Sequence, residues 1–193
     1  MTVRIKPWKK IGASQVLAES HGRSLIVQTY LEPVSGETRE YSRFKANGFA
    51  CIILAVTAEN KVLAVQQYRS AVEEITIELP GGSQKHKGQT PESVAREEFS
   101  EETSEYEPGK VISLLKAGCW FEPSGIDTIY YPYLFLDCVK TNMVTQTDDG
   151  EDIELIQIPL SEWIKRCEIG QIRDSKSIVV TALAKKYLNV EEA

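Results

Sequence analysis

Residues 75–104 constrain this chain more tightly than any other stretch. Ile75–Leu79 reads as a strand, and Pro80-Gly81-Gly82 stops it. A polar loop, Ser83 to Gln89, leads into a well-signalled helix. Thr90 suits the N-cap, Pro91 the first helical position, and Glu92 the first turn, where the helix dipole favours an acid. The pattern predicts a helix from Pro91 to about Ser104. On it Glu98, Glu101 and Glu102 are spaced i, i+3 and i+4, so all three project from one face, and Glu105 would extend that stripe if the helix continued. At about 6 Å and an effective dielectric near 20, each such pair repels by roughly 2–3 kcal/mol. No lysine or arginine on the helix face offsets this, whereas a divalent cation would. The Gly-Gly turn allows a backbone carbonyl to come close to the helix.

The rest of the chain supplies a frame for this segment. Its 193 residues favour one domain, residues 46–193, behind a small N-terminal β extension, residues 1–45. Leu25–Leu31 reads as a strand running into the turn-rich Glu32–Gly36. Phe49–Thr57 and Lys61–Tyr68 flank Ala58-Glu59-Asn60 as a hairpin. Val111–Ala117, Ile126–Val139 (interrupted by Pro132) and Ile153–Ile158 read as further strands. Ser161 is expected to cap a short helix ending near Gly170, and Asp174 to open a last helix to about Leu188. Strands on both sides of a central helix, with helices at the end, imply an α/β (α+β) fold with α/β/α layers.

Composition narrows the chemistry. A net charge of −6 with no basic block makes nucleic acid or an anionic membrane an unsuitable principal partner. The longest apolar run, Phe49 to Val56, is far short of the roughly 20 residues that span a bilayer. Met1–Lys10 is polar and basic with no apolar stretch behind it, so no secretory signal is expected and a cytoplasmic location is. Cys51, Cys119, Cys138 and Cys167 form no C-x-x-C pair and read as thiols of a reducing compartment. With only His21 and His86 present, a bound metal must be held by carboxylates, which selects hard cations such as Mg²⁺, Mn²⁺ or Ca²⁺.

Glu78-Leu79-Pro80-Gly81-Gly82, the loop, and Arg96 through Thr103 resemble the signature box of Nudix hydrolases, G-x5-E-x7-R-E-U-x-E-E-x-G-U. Gln66-Gln67-Tyr68-Arg69 and Glu78-Leu79-Pro80 look like segments of the branch that hydrolyses ADP-ribose and nucleotide sugars. Trp120–Gly125 (WFEPSG) resembles that branch's aromatic-Pro-Ser-Pro-Gly loop, and Asp174-Ser175-Lys176 its D-x-K helix start. The resemblance covers roughly residues 45 to 188. The box is degenerate: Gln89 stands where it has its first glutamate, Glu97 where it has arginine and Ser104 where it has glycine. Arg96 is one residue from the arginine position, about 100° around the helix, and cannot simply substitute.

The resemblance implies a Nudix-type α/β/α sandwich with a mixed sheet. It implies an Mg²⁺- or Mn²⁺-dependent hydrolase that cleaves a nucleoside diphosphate sugar or ADP-ribose into nucleoside monophosphate and sugar phosphate. Glu98, Glu101, Glu102 and the Gly81 carbonyl would hold the metal, and Glu101 and Glu102 would also serve the catalytic step. Glu151, then Asp149, is the expected base. Arg69 is the expected phosphate contact; Lys176 is a further substrate contact, and Trp8 or Tyr30 would stack on a nucleobase. The N-terminal strands are the expected dimerisation arm of a homodimer. Gln89 and Glu97 leave a second reading open, a catalytically silent Nudix-fold protein that binds such a ligand.

Overall fold

The computed structural model describes residues 5–20, 22–141 and 152–188. They fall into two compact units, one comprising the residues up to Gly48 with Trp120–Thr128, the other the remainder.

The first unit is a meander of β1 (Lys9–Ser20), β2 (Arg23–Leu31) and β3 (Thr38–Ala46), antiparallel throughout. The turn after β2 closes as its composition implies, with the Gly36 N–H donating to the Glu32 carbonyl at 3.0 Å. Both β1 and β3 escape sequence patterning. β3 is rich in charged side chains, β1 mixes polar and apolar ones, and both are largely exposed, so neither shows a buried apolar period. A bulge in β1 between Ile11 and Gln15 is satisfied by buried Gln28, whose amide donates to the Ile11 carbonyl at 2.7 Å and accepts the Ser14 hydroxyl at 2.7 Å. The later segment joins this unit through Ile126, which pairs in parallel with Phe44, and through the Phe44 N–H, which donates to the Gly125 carbonyl at 2.8 Å.

The second unit opens with β4 (Ala50–Thr57) and β5 (Lys61–Arg69), the hairpin expected around Asn60, which takes a left-handed φ of 57°. β6 (Glu74–Glu78) folds back along β5, and the short β7 (Gly81–Ser83) pairs with β4. Helix α1 (Pro91–Thr103) follows, with Thr90 and Ser93 forming a reciprocal capping box. β8 (Tyr106–Glu107) and β9 (Lys110–Ser113) come next, and β10 (Cys119–Glu122) leads into β11 (Ile126–Lys140). β11 lies parallel to β4, and β12 (Ile153–Pro159) antiparallel to β5, in the order β11-β4-β5-β12. Helices α2 (Leu160–Glu168) and α3 (Ser175–Ala184) complete a mixed α/β fold with three α-helices among the described residues.

Every residue of β4 is buried. Cys51, Ile53 and Ala55 share a core with Val94, Ala95 and Phe99 of α1, and α3 also packs on β4, so this strand is covered on both faces.

Some boundaries differ from the sequence reading. Pro132 does not interrupt β11, because it keeps the parallel register opposite Ile52 and its carbonyl accepts the Leu114 N–H at 3.0 Å. α2 begins at Leu160 with no side-chain cap, so Ser161 lies inside it. α3 is capped by Asp174 as expected but ends at Ala184, followed by a 3₁₀ turn at Lys185–Tyr187. The four cysteines are free thiols.

Candidate active site

The core side of α1 is set by Val94, Ala95 and Phe99, and this fixes where its glutamates go. Glu98 is buried beside the Gly-Gly turn, where a Cβ on Gly82 would lie 2.1 Å from Glu98 Oε2 and 2.4 Å from its carboxyl carbon. Glycine at 82 is therefore what lets the chain run against that carboxylate. A Cβ on Gly81 would lie 2.2 Å from the Cys51 carbonyl, so that glycine is required by β4. The Gly81 N–H donates to Glu102 Oε2 at 2.9 Å, which anchors the second carboxylate on the same turn. The Cys51 thiol is pushed up to about 12, first by burial and then by the negative charge of Glu98.

Glu101 is held differently. Lys85, from the loop, donates from Nζ to both Glu101 oxygens at 2.8 Å. The helix face carries no cation of its own, but the loop brings one, which helix periodicity could not reveal. Among the described residues, no three His, Cys, Asp or Glu side chains gather closely enough to hold a metal. What does converge at the turn is oxygen-only, two carboxylates beside a glycine cradle, and this donor chemistry fits a hard divalent cation. Glu151 and Asp149 lie outside the described residues.

Beside this lies an ion network that pattern reading only half anticipated. Arg69 donates from Nε and Nη2 to the two oxygens of buried Glu78, both at 2.8 Å, and Thr76 adds a hydroxyl donor at 2.7 Å. Burial alone would raise the Glu78 carboxyl. Hydrogen bonds from Arg69 and Thr76, with the charges of Arg69 and Lys176, outweigh it and hold the group below the usual carboxylate value. The Glu78 hydrogen bond raises Arg69 in turn, and the charges of Glu102 and Asp174 act in the same direction. The Arg69 side chain nevertheless remains 45% exposed. Lys176 pairs with Asp174 and lies 4.0 Å from Glu78 Oε2. Asp174 also caps α3, accepting the Ser177 N–H at 3.0 Å, and Ser177 Oγ in turn accepts the Leu79 N–H at 2.8 Å. The strand end before the Gly-Gly turn is thus tied to the start of α3.

The three departures from the box have visible structures. Gln89 donates from Nε2 to Glu97, so the two altered positions face each other, while Gln89 Oε1 accepts the backbone N–H groups of Lys85 at 3.0 Å and His86 at 2.8 Å. Ser104 caps α1 with φ 38° and ψ −28°, a left-handed conformation that explains glycine at that box position. Arg96 pairs with Glu92 on the exposed side of the helix.

Trp8 and Tyr30 lie in the first unit, around a cavity of about 360 Å³ lined by Tyr41, Arg43, Ser124 and Asp127 as well. Trp8 and Tyr30 each meet Tyr41 edge-to-face, with ring centroids 5.7 and 6.1 Å apart, and the Arg39 guanidinium sits 5.7 Å from the Trp8 ring. Arg43 donates to Asp127 at 3.0 Å and to the Tyr30 hydroxyl at 3.0 Å. Tyr41, Arg43 and Asp127 carry no local motif.

The geometry agrees with what the chain resembles. Residues 46–178 match the NUDIX domain family model, and the chain belongs to the Nudix pyrophosphohydrolase family. Members of this family generally need divalent metal ions. The chain is 29% identical over 171 residues to the ADP-ribose pyrophosphatase of Bacillus subtilis (strain 168), covering 87% of this chain and 88% of that one. It is 30% identical over 163 residues to the methanol dehydrogenase activator of Bacillus methanolicus, covering 84% and 83%. A solved structure titled as an ADP compounds hydrolase superposes with a TM-score of 0.80 over 97% of both chains. At 15% identity that likeness shows the fold alone. No helix among the described residues is long and apolar enough to cross a membrane.

Proposed function

We propose that this protein cleaves the diphosphate of a nucleoside diphosphate sugar or ADP-ribose, with Mg²⁺ or Mn²⁺ held by Glu98, Glu101, Glu102 and the Gly81 carbonyl. The observation that carries this reading is the convergence of Glu98 and Glu102 on Gly81-Gly82 in a chain of this family. When bound, such a cation neutralises charge on phosphate oxygens and makes water a better nucleophile. The protein's own residues do the remaining work. Arg69 meets a phosphate oxygen through its exposed edge, while Glu78 fixes the plane of its guanidinium. Lys176 adds positive charge, steadied by Asp174. Glu151, or else Asp149, takes the proton from water, and Glu101 and Glu102 assist. Trp8 and Tyr30 stack on the nucleobase. The protein acts in the cytoplasm as a homodimer joined through residues 1–45, with residues 46–193 as the hydrolase domain.

The test is a panel of ADP-ribose, UDP-glucose and GDP-mannose with and without Mg²⁺, assayed for monophosphate. Metal-dependent release from at least one is expected. No turnover on any, together with thermal stabilisation by a nucleotide sugar, would favour a catalytically silent binder. The Lys85 pairing of Glu101 is the observation that keeps this second reading alive, and one relative is itself named for activating a dehydrogenase.

A further inference from the structure

We propose that Lys85 is a built-in counter-cation for Glu101, which a divalent ion must displace to recruit that carboxylate. The inference rests on reading Glu98, Glu101 and Glu102 as the metal face. Three of its features are unusual for a chance surface pair. The ammonium contacts both carboxylate oxygens at the same 2.8 Å, so it occupies the position from which a cation would engage Glu101. Both partners are mostly covered, with side chains 30% and 24% exposed, so the pair is less screened than a fully solvated one. The loop is also shaped to deliver it. Gln89 Oε1 gathers the Lys85 and His86 N–H groups, its Nε2 is held by Glu97, and the Gln84 N–H donates to the Phe49 carbonyl at 2.8 Å.

Two of the three departures from the family's box, Gln89 and Glu97, are therefore residues that hold the loop carrying Lys85. Without metal, the ammonium offsets repulsion between Glu101 and its neighbours on α1. With metal, Lys85 and the ion compete for the same oxygens, so occupancy of the third carboxylate requires Lys85 to leave. Lys85 is a positioning residue here, acting through Glu101.

Isothermal titration of Mn²⁺ into the full-length protein tests this without reference to turnover. Lys85→Met should tighten Mn²⁺ about fivefold, the equivalent of about 1 kcal/mol. Lys87→Met, which removes a loop charge two residues away, should change it less than twofold, and Lys85→Arg should stay near wild type. In a Glu101→Gln background the Lys85→Met gain should vanish. Equal tightening by Lys85→Met and Lys87→Met would reduce the effect to a general field and overturn the proposal while leaving the metal face intact. Unchanged or weaker binding by Lys85→Met would overturn it likewise. Mn²⁺ binding that is absent from wild type and variant alike would sink the metal face and the proposal together. Matching thermal melts of the variants would confirm that folding is not what changed.

Discussion

The acidic face of α1 and the aromatic cavity of the first unit are built in opposite ways. The first is drawn from residues 78–102, in which Glu78 is held by Arg69, Glu101 by Lys85 and Glu102 by a backbone N–H, while Glu98 lies against a close glycine. The second collects Trp8, Tyr30, Tyr41 to Arg43 and Pro123 to Asp127, held by edge-to-face rings and one Arg–Asp pair. Fixed charges in a crowded, partly dry setting suit chemistry, because they need not reorganise when charge develops. Flat amphipathic surfaces around an open cavity suit recognition. The contrast predicts that damage to one region will move turnover and metal affinity, and damage to the other will move substrate affinity.

The largest expected break is at the turn. Glu98→Gln and Glu102→Gln should each lower turnover by at least about 100-fold, since even outer-shell partners of metal ligands cost 10–100-fold. Calorimetric Mg²⁺ titration should show weakened or lost binding in both. Wild-type metal affinity in either variant would remove that carboxylate from the site.

Next in size is the support beneath Arg69, the proposed phosphate contact. Glu78 titrates below its unfolded value, so its contribution to stability is complete above pH about 4.3 and is lost as pH falls through the lower folded value. Arg69→Ala leaves that carboxylate buried without its main partner. Because Arg69 is itself half-exposed, the expected cost is about 2 kcal/mol at pH 7. In the variant, burial dominates and raises the Glu78 value, so the deficit should shrink towards pH 4 as the carboxyl protonates. Urea denaturation at both pH values measures this, and a deficit independent of pH would assign the loss to packing instead.

The same contrast explains what could be read in advance. The Glu98, Glu101 and Glu102 stripe, the Thr90 cap and the Gly-Gly turn follow from spacing and turn chemistry over 30 residues, so the acidic helix is legible in the sequence itself. Lys85 is not, because a loop lysine's reach depends on how Gln89 folds that loop. Nor is Glu78 as the partner of Arg69, since the link runs across the β5–β6 ladder and needs its register. Tyr41, Arg43 and Asp127 meet only when a segment 84 residues beyond Arg43 returns beside β3, a long-range pairing with no local signature. For β1 and β3, strands exposed along nearly their whole length gave periodicity nothing to detect.

On the recognition side the effect should be smaller and of another kind. If Trp8 stacks on the base, Trp8→Ala should raise KM about tenfold for the preferred nucleotide sugar, with kcat and Mn²⁺ affinity near wild type. A fall in kcat at unchanged KM would contradict the division of labour between the two regions. A control in the cavity, Tyr41→Phe, keeps the ring contacts and should change KM little.

The smallest effects fall on the three departures from the box, which divide into the Gln89–Glu97 pair and a serine at the left-handed end of α1. Gln89→Glu alone sets a second carboxylate against Glu97, and Glu97→Arg alone sets a guanidinium against the Gln89 amide donor. Each single change should cost about 1 kcal/mol in stability, and the double variant should recover most of it, a coupling expected of directly bonded neighbours. Additive losses would mean that the two side chains do not depend on each other. Ser104 is a different case, because a side chain at φ 38° is strained whatever surrounds it. Ser104→Gly should therefore stabilise the protein by several tenths of a kcal/mol, raising Tm by about 1–3 °C, with turnover unaltered. A lowered Tm would show that interactions of the Ser104 side chain outweigh its backbone strain, and that this departure, like the other two, is compensated.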